Sequence, residues 1–538
     1  MKKFRLMSLV LAALLLSGCA REKPAHVPTG NGLTWEDETA PTASVSQEEP
    51  QQIVMAYYPE MSLNPYQSTD CTNRALFSLI YQSLFVADRD YRVSPVLCQR
   101  YTVSEDMKNY TFYVAPDARF SDGERVTAED VTASLLAAMS GGYYAGRFSH
   151  VSGISTTADG GVYIRLDCAY EDLPRLLDIP IVKKEQVNDP SPLGSGPYIL
   201  RTAGSQAALY RNNDWWCHVT FTIRADTIPL RAAGDPVDIR NQFEFSDVSL
   251  VCTDPGSNSY ADYRCDYELW DCENAIFVYL GCNMESTVFS NPQVRSALTY
   301  AIDRDALVED YYRGFAMSAV LPASPLSPYY DGNLAAQYTL QKEKFTQAVT
   351  QAGLQGAEVR LLTNSDDTAR RRAARAIGDT LASCGLKVTM EERNTEDYIN
   401  ALRNREYDLY LGQTRLPPNM DLTEFFYEDG KLSFGPMNDT AIYNLCLKAL
   451  ENSGNYYDLY QAILADGRLC PVLFRSYAVY ASRGSMSDLA PARDNLFYYD
   501  LGRTLEDART EQANAPQTTT PETTVTPETT NAPETTGD

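Results

Sequence analysis

The side chains best suited to nucleophilic, acid–base or metal chemistry are few and scattered in this chain. Three histidines occur among 538 residues: His26 in a polar stretch outside any core, and His150 and His218 far apart from each other. A histidine-rich zinc centre and Ser-His-Asp machinery are therefore not expected. The 12 cysteines include no C-x-x-C pair, and Cys252, Cys265, Cys272 and Cys282 lack zinc-ligand spacing, so they read equally as disulfides or as buried thiols. Setting Cys19 aside leaves an odd number, so at least one thiol stays unpaired within a monomer. Cys217-His218 places a thiol beside an imidazole, but sequence neighbours rarely reach nucleophile–base geometry. No G-x-S-x-G, H-E-x-x-H, P-loop or dinucleotide fingerprint is present. The expectation is a protein with no catalytic residue, no metal and no cofactor. What remains is polar chemistry that holds a solute, concentrated in Thr363-Asn364, Arg393-Asn394 and Gly412-Gln413-Thr414-Arg415.

The elements that must position these residues are legible. Ala357–Leu362 reads as a strand, Asp367–Cys384 as a helix closed by Gly385, Leu386–Met390 as a strand, Thr395–Arg403 as a helix and Tyr407–Leu411 as a strand. This β-α-β-α-β order predicts a parallel sheet with right-handed crossovers, whose ligands sit beyond the carboxyl ends of the strands. The three polar segments follow those ends. Earlier in the chain, Ile53–Tyr58 and Tyr110–Val114 read as strands, and Ala75–Leu84 has helical spacing after Asp70. Thr127 caps a helix over Val131–Met139, and Asn291-Pro292 opens another over Val294–Ile302, with Asp303 starting the next.

Composition sets the class. With 44% hydrophobic residues, the chain has material for more than one core, and at roughly 150 residues per domain about three domains are expected. Lys and Arg number 46 against 71 Asp and Glu, a formal charge of −25, and most of that surplus stays with the central body. Nucleic acid is excluded as a partner on this ground. Lys2, Lys3 and Arg5 precede the apolar run Leu6–Leu16, a signal peptide too short to span a bilayer. Its ending, Leu16-Ser17-Gly18-Cys19, resembles the bacterial lipobox, which implies that Cys19 becomes a lipid-modified first residue. Residues 19–50 have the composition of a flexible linker, and the Thr/Pro/Glu-rich residues 506–538 that of a disordered tail.

Six ordered landmarks resemble the family 5 extracellular solute-binding proteins of peptide-importing ABC transporters. They are Leu63-Asn64-Pro65 with Ile80-Tyr81-Gln82-Ser83-Leu84; Arg119-Phe120-Ser121-Asp122-Gly123; Val126-Thr127-Ala128-Glu129-Asp130-Val131; Gly194-Ser195-Gly196-Pro197-Tyr198; Asn212 to Trp216; and Val294-Arg295 through Asp303-Arg304. The resemblance implies an α/β fold of the two-lobed periplasmic-binding-protein type (type II, cluster C), with an additional domain inserted in the first lobe. By that template lobe I comprises 51–65, 194–272 and 474–505, the inserted domain 66–193, and lobe II 273–473. It further implies a monomeric, lipid-anchored receptor on the extracytoplasmic face of a bacterial membrane, partnered by a permease and ATPase. Its cargo would be a peptide, with an oligosaccharide or metal chelate as the alternative and a secreted hydrolase as the remote one. Peptide-binding members commonly carry an aspartate near the position of Leu416; here Arg415 offers a fork for a carboxylate and Asp421 lies further on. Arg415 read as a surface residue, and Asp421 read as the cap of a helix near Leu422, stay open. The implied contact set is Arg415, Gln413, Thr414, Asp421, Asn364 and Asn394, with Tyr57 drawn from the tyrosine doublets among 36 tyrosines.

Overall fold

The computed structural model describes residues 53–204, 206–217, 225–483, 490–493 and 495–497. Two strands decide its shape. Glu268–Cys282 and Leu469–Ala481, of 15 and 13 residues, pair antiparallel along most of their lengths inside one 11-stranded sheet. Their outer halves belong to lobe I, where Leu250–Thr253 pairs with 478–481 and is followed across the sheet by Met55–Tyr57, Thr227–Ala232, Gln206–Arg211 and Tyr198–Ala203. Their inner halves belong to lobe II, where 276–282 pairs with Leu409–Arg415, and Glu358–Asn364 and Lys387–Arg393 continue the sheet in parallel. Two strands thus join two lobes. At the crossing the ladder skips from Glu273↔Ser476 to Phe277↔Phe474, with Ala275 at φ +61°. Such a bulge bends the strand and loosens the ladder locally, which is what a hinge requires. The Glu273 carboxylate, 4% exposed, sits beside it and accepts from the Tyr91 hydroxyl at 2.8 Å and the Ser324 hydroxyl at 2.5 Å.

A second body spans the chain between the first lobe I strand and Tyr198. Its four-stranded antiparallel sheet has the order Cys98–Val103, Asn109–Val114, Val162–Leu166, Val151–Thr156, with the helix Ala128–Ser140 packed on it. Thr127 and Asp130 form a reciprocal capping box at the start of that helix. Thr127→Ala should lower stability by about 1–2 kcal/mol, read as a shift of the urea midpoint at unchanged slope; no shift would mean that the Asp130 contacts alone hold the turn. The apolar face of this body is continuous with lobe I: Phe112, Val131 and Ile164 share one cluster with Met55, Leu250 and Val479. Lobe II buries both faces of its sheet separately. Phe277, Tyr279 and Tyr410 point into one core and Val278, Leu280 and Leu411 into the other, as the two-residue period of a strand dictates.

The motif residues hold these bodies together. Gly196 N donates to Ile80 O at 2.9 Å, Ser121 N to Gly194 O at 2.9 Å, Trp215 Nε1 to Ser195 O at 3.1 Å and Trp216 Nε1 to Gln82 Oε1 at 2.7 Å. Residues 80–82, 121, 194–196 and 215–216, four stretches distant in sequence, are therefore tied to one another, and the Arg119–Val131 signature is part of that scaffold.

Three expectations need correction. Ala75–Leu84 is not one helix: single turns occupy Cys71–Arg74 and Phe77–Ile80, after which Gln82–Ser83 pairs with Pro180–Ile181. The Ile80 carbonyl is taken by Gly196, so it cannot accept from a continuing helix. The helix expected over Val294–Ile302 is α-helical only at Pro292–Ala297 and becomes 3-10 over Leu298–Ala301. There the buried Arg304 guanidinium claims the Thr299 carbonyl at 3.0 Å. The strand expected to end at Leu411 runs to Arg415, because pairing with 276–282 extends its ladder.

Candidate functional site

The longer strand carries Gln413, Thr414 and Arg415 to the edge of the gap between lobe II and the second body. Arg415 donates to the Asn274 carbonyl at the hinge, and its guanidinium lies 4.0 Å from the centre of the Tyr143 ring. The same ring lies 3.3 Å from the Arg74 guanidinium. A tyrosine of one body thus faces arginines from both sides of the gap, a cation–π contact worth about 0.5–2 kcal/mol depending on desolvation.

Beyond Arg415 the chain turns through Pro417-Pro418 to Asp421. Its Oδ1 accepts from Thr423 N at 2.8 Å and Thr423 Oγ1 at 2.7 Å. Across the gap His150 answers it: Nε2 lies 3.3 Å from Asp421 Oδ2 and 3.0 Å from Thr423 Oγ1, while Nδ1 lies 2.9 Å from Asp167 Oδ1. Burial works against charge on the His150 ring, but the hydrogen bonds to Asp421 and Cys168 outweigh it and raise its pKa. Burial likewise opposes ionisation of Asp421, and the His150 contact outweighs it, leaving that carboxyl below its ordinary range. Ser149, His150, Asp167, Thr423, Glu424 and Lys431 border an open cavity of about 300 Å³ here, at the lower end of volumes that enclose small ligands.

Nearer the hinge, Arg475 ties the lobes directly. It is 4% exposed, and its Nη2 donates to both carboxylate oxygens of Asp254 at 3.0 Å. Its Nη1 donates to Asp367 Oδ2 and to Gln413 Oε1, each at 3.2 Å. Asp254 belongs to lobe I, while Asp367 caps the lobe II helix Thr368–Ser383. Asn258 of lobe I adds two contacts to lobe II, donating to Asp366 O at 2.6 Å and accepting from Thr368 N at 2.9 Å. The two lobes meet across the gap.

Among the expected contact residues, Arg415 and Asp421 come to the same gap. Gln413 lies in the Arg475 network, and Thr414 sits in the ladder opposite Phe277. Asn364 and Asn394 lie at the ends of neighbouring strands: Asn364 Nδ2 donates to Thr395 Oγ1 at 2.9 Å, and Asn394 caps the helix Thr395–Arg403. Tyr57 is buried in the lobe I core. Cys217 is buried with the Gln82 amide 3.7 Å from its sulfur, while His218, His26 and Cys19 lie outside the described residues. All cysteines from Cys71 to Cys470 are free thiols. Sequence reasoning missed Arg475, whose signal was a charge in an otherwise apolar strand, and Tyr143. It also missed the meeting of His150 with Asp167 and Cys168, whose signal was their place at the two ends of one hairpin.

Among the described residues no helix is long and apolar enough to cross a membrane. Residues 92–431 match the family described as Bacterial extracellular solute-binding proteins, family 5 Middle. The oligopeptide-binding protein AppA of Bacillus subtilis is 23% identical over 418 residues, covering 71% of this chain and 74% of that protein. The glutathione-binding protein GsiB of Salmonella typhi is 24% identical over 342 residues, covering 61% of this chain and 66% of its own length, just short of two thirds. Among solved structures, a putative peptide-binding protein AppA from Clostridium difficile superposes with a TM-score of 0.68 at 16% identity, covering 84% of this chain and 99% of that one. Two lobes on a two-strand hinge and a match over well over half the sequence lead to one assignment: the chain belongs to the family 5 bacterial extracellular solute-binding proteins, the non-catalytic solute-capturing components of ABC importers.

Proposed function

We propose that this protein is a monomeric receptor, tethered by lipid at Cys19 to the extracytoplasmic face of the membrane, that captures peptides and presents them to a permease and ATPase. The observation that carries the peptide reading is Arg415, a cation at the end of a lobe II strand, set in the gap against Tyr143 of the facing body. In a chain with a net charge of −25, a cation at that place favours an anionic group such as a peptide carboxylate. AppA of B. subtilis, named for oligopeptides, supports the same reading. An extended peptide satisfies its backbone groups by strand-like pairing, and its side chains meet tolerant pockets. The bulge at Ala275 lets the lobes rotate, and the peptide favours closure only by as much as it binds the closed form more tightly.

Arg415→Ala should weaken peptide binding by about 1.5–3 kcal/mol, as expected for a hydrogen bond to a charged group; an unchanged dissociation constant by calorimetry removes Arg415 from the site. Native mass spectrometry of the purified protein before and after mild denaturation tests the cargo itself. A ladder of masses that sequence as peptides supports the reading, and a single non-peptide mass, such as a sugar or chelate, overturns it. Cys19→Ala should shift the protein from the membrane fraction to the soluble fraction; persistence in the membrane would refute the lipid tether.

A further inference from the structure

The hairpin Val151–Thr156/Val162–Leu166 brings its two ends together: Val151 pairs with Leu166, and Asp167 N donates to His150 O at 3.0 Å. His150, Asp167 and Cys168 therefore stand side by side on a rigid frame, each offering one ligand atom within 4.8 Å of the others. We propose that these three residues bind a divalent cation of the zinc class, supported from lobe II by Asp421.

The distances suit such an ion. Bonds of about 2.0–2.3 Å in tetrahedral geometry place ligand atoms about 3.3–3.8 Å apart, so the 2.9 Å contact between His150 Nδ1 and Asp167 Oδ1 has to widen and the longer spacings, up to 4.8 Å, have to close, adjustments that rotation of the Asp167 side chain, 60% exposed, can supply. The histidine is already oriented. Its Nε2 faces the Asp421 carboxylate, itself fixed by two bonds from Thr423. With Nε2–H donated there, release of the Nδ1 proton frees a lone pair on the side of Asp167, the carboxylate–histidine arrangement that aligns and strengthens an imidazole ligand. Nitrogen, carboxylate and thiolate donors together suit zinc, cobalt or nickel and disfavour magnesium or calcium. The thiol proton and the Nδ1 proton leave to solvent as the ion binds. His150 and Asp167 also border the 300 Å³ cavity, so a fourth position faces water or solute; Lys431, on the same cavity, is the cation the ion must tolerate. The site does not depend on the peptide reading, since an ion binds there whatever the cargo.

Cobalt(II) chloride titrated into the chelator-stripped, full-length protein reports on this directly. The expected result is saturable one-to-one binding with a near-ultraviolet thiolate-to-cobalt charge-transfer band. Cys168→Ser should abolish the band, Asp167→Asn and His150→Ala should each weaken zinc(II) binding at least tenfold by calorimetry, and Asp421→Asn should weaken it about 10–100-fold with the band retained. A band that survives Cys168→Ser, or no saturable binding, overturns the proposal. So does an unchanged zinc affinity in Asp167→Asn, whose exposed side chain leaves folding intact.

Discussion

Replacing Arg475 with methionine should cost about 3–5 kcal/mol of unfolding free energy, the loss seen when one partner of a buried ion pair is removed. The guanidinium is almost fully enclosed, and the Asp254 and Asp367 side chains are 27% and 14% exposed. Methionine fills much of the volume but leaves two carboxylates facing each other without the charge that offsets them. Each keeps one backbone donor, Gly256 N for Asp254 and Arg370 N for Asp367, which moderates the loss without replacing the ion pair. A guanidinium chloride titration reads the effect as a lower midpoint, and a cost under about 1 kcal/mol would mean that water screens the network as it does at a surface. Asp254→Asn in the Arg475→Met background should recover part of the loss, because it removes one of the two stranded charges. The same change has a conformational side. Arg475 holds Asp254 of lobe I and Asp367 and Gln413 of lobe II at once, so its loss should also expand the molecule in small-angle scattering under native conditions.

Gly194→Ala is expected to be comparably damaging for a steric reason. A Cβ there would lie 2.1 Å from Ile80 O, and at Gly196 it would lie 2.5 Å from the Ile80 carbonyl carbon. The obstacle is backbone, so no rotamer change relieves it. Overpacking costs typically about 1–3 kcal/mol, and here relief also means parting the Gly196–Ile80 and Ser121–Gly194 bonds, so a loss of about 3 kcal/mol or more is expected in thermal or denaturant unfolding. Gly142→Ala is the matched control: nothing lies within 4 Å of its Cβ position, and its effect should stay within about 0.5 kcal/mol. Equal effects at the two positions would point to backbone entropy and not to collision with Ile80.

The β-α-β-α-β unit of lobe II was legible because its helices are long, amphipathic and capped by local signals. Asp367 and Asn394 cap as their spacing predicts, and Gly385 takes φ +103° after the first helix. The hinge was not legible. Its bulge falls at Asn274-Ala275-Ile276, without glycine or proline, and exists because two strands from distant parts of the chain run on through both lobes. The helix expected over 75–84 failed for the same kind of reason, a carbonyl claimed from 116 residues away in the Gly196 loop. At the site, Asp421 came into view through the family resemblance, and Arg415, the last residue of its strand, through the rule that ligands gather beyond strand ends. It could not find Arg475, which lies inside a strand, or His150, whose partners are set by hairpin closure and by contact between bodies.

The shared core of lobe I and the second body has a consequence for biosynthesis. The central strands of the lobe I sheet are far apart in sequence: Met55–Tyr57 emerges more than 400 residues ahead of 478–481, which pair with Leu250–Thr253. Lobe II is encoded almost entirely between them. As the chain is exported amino terminus first, lobe I must wait with its sheet open until residues 478–481 arrive, exposing apolar surface meanwhile. Competence to hold cargo therefore appears only once residues 478–481 have emerged, so chains truncated before residue 478 should neither close lobe I nor compete for solute.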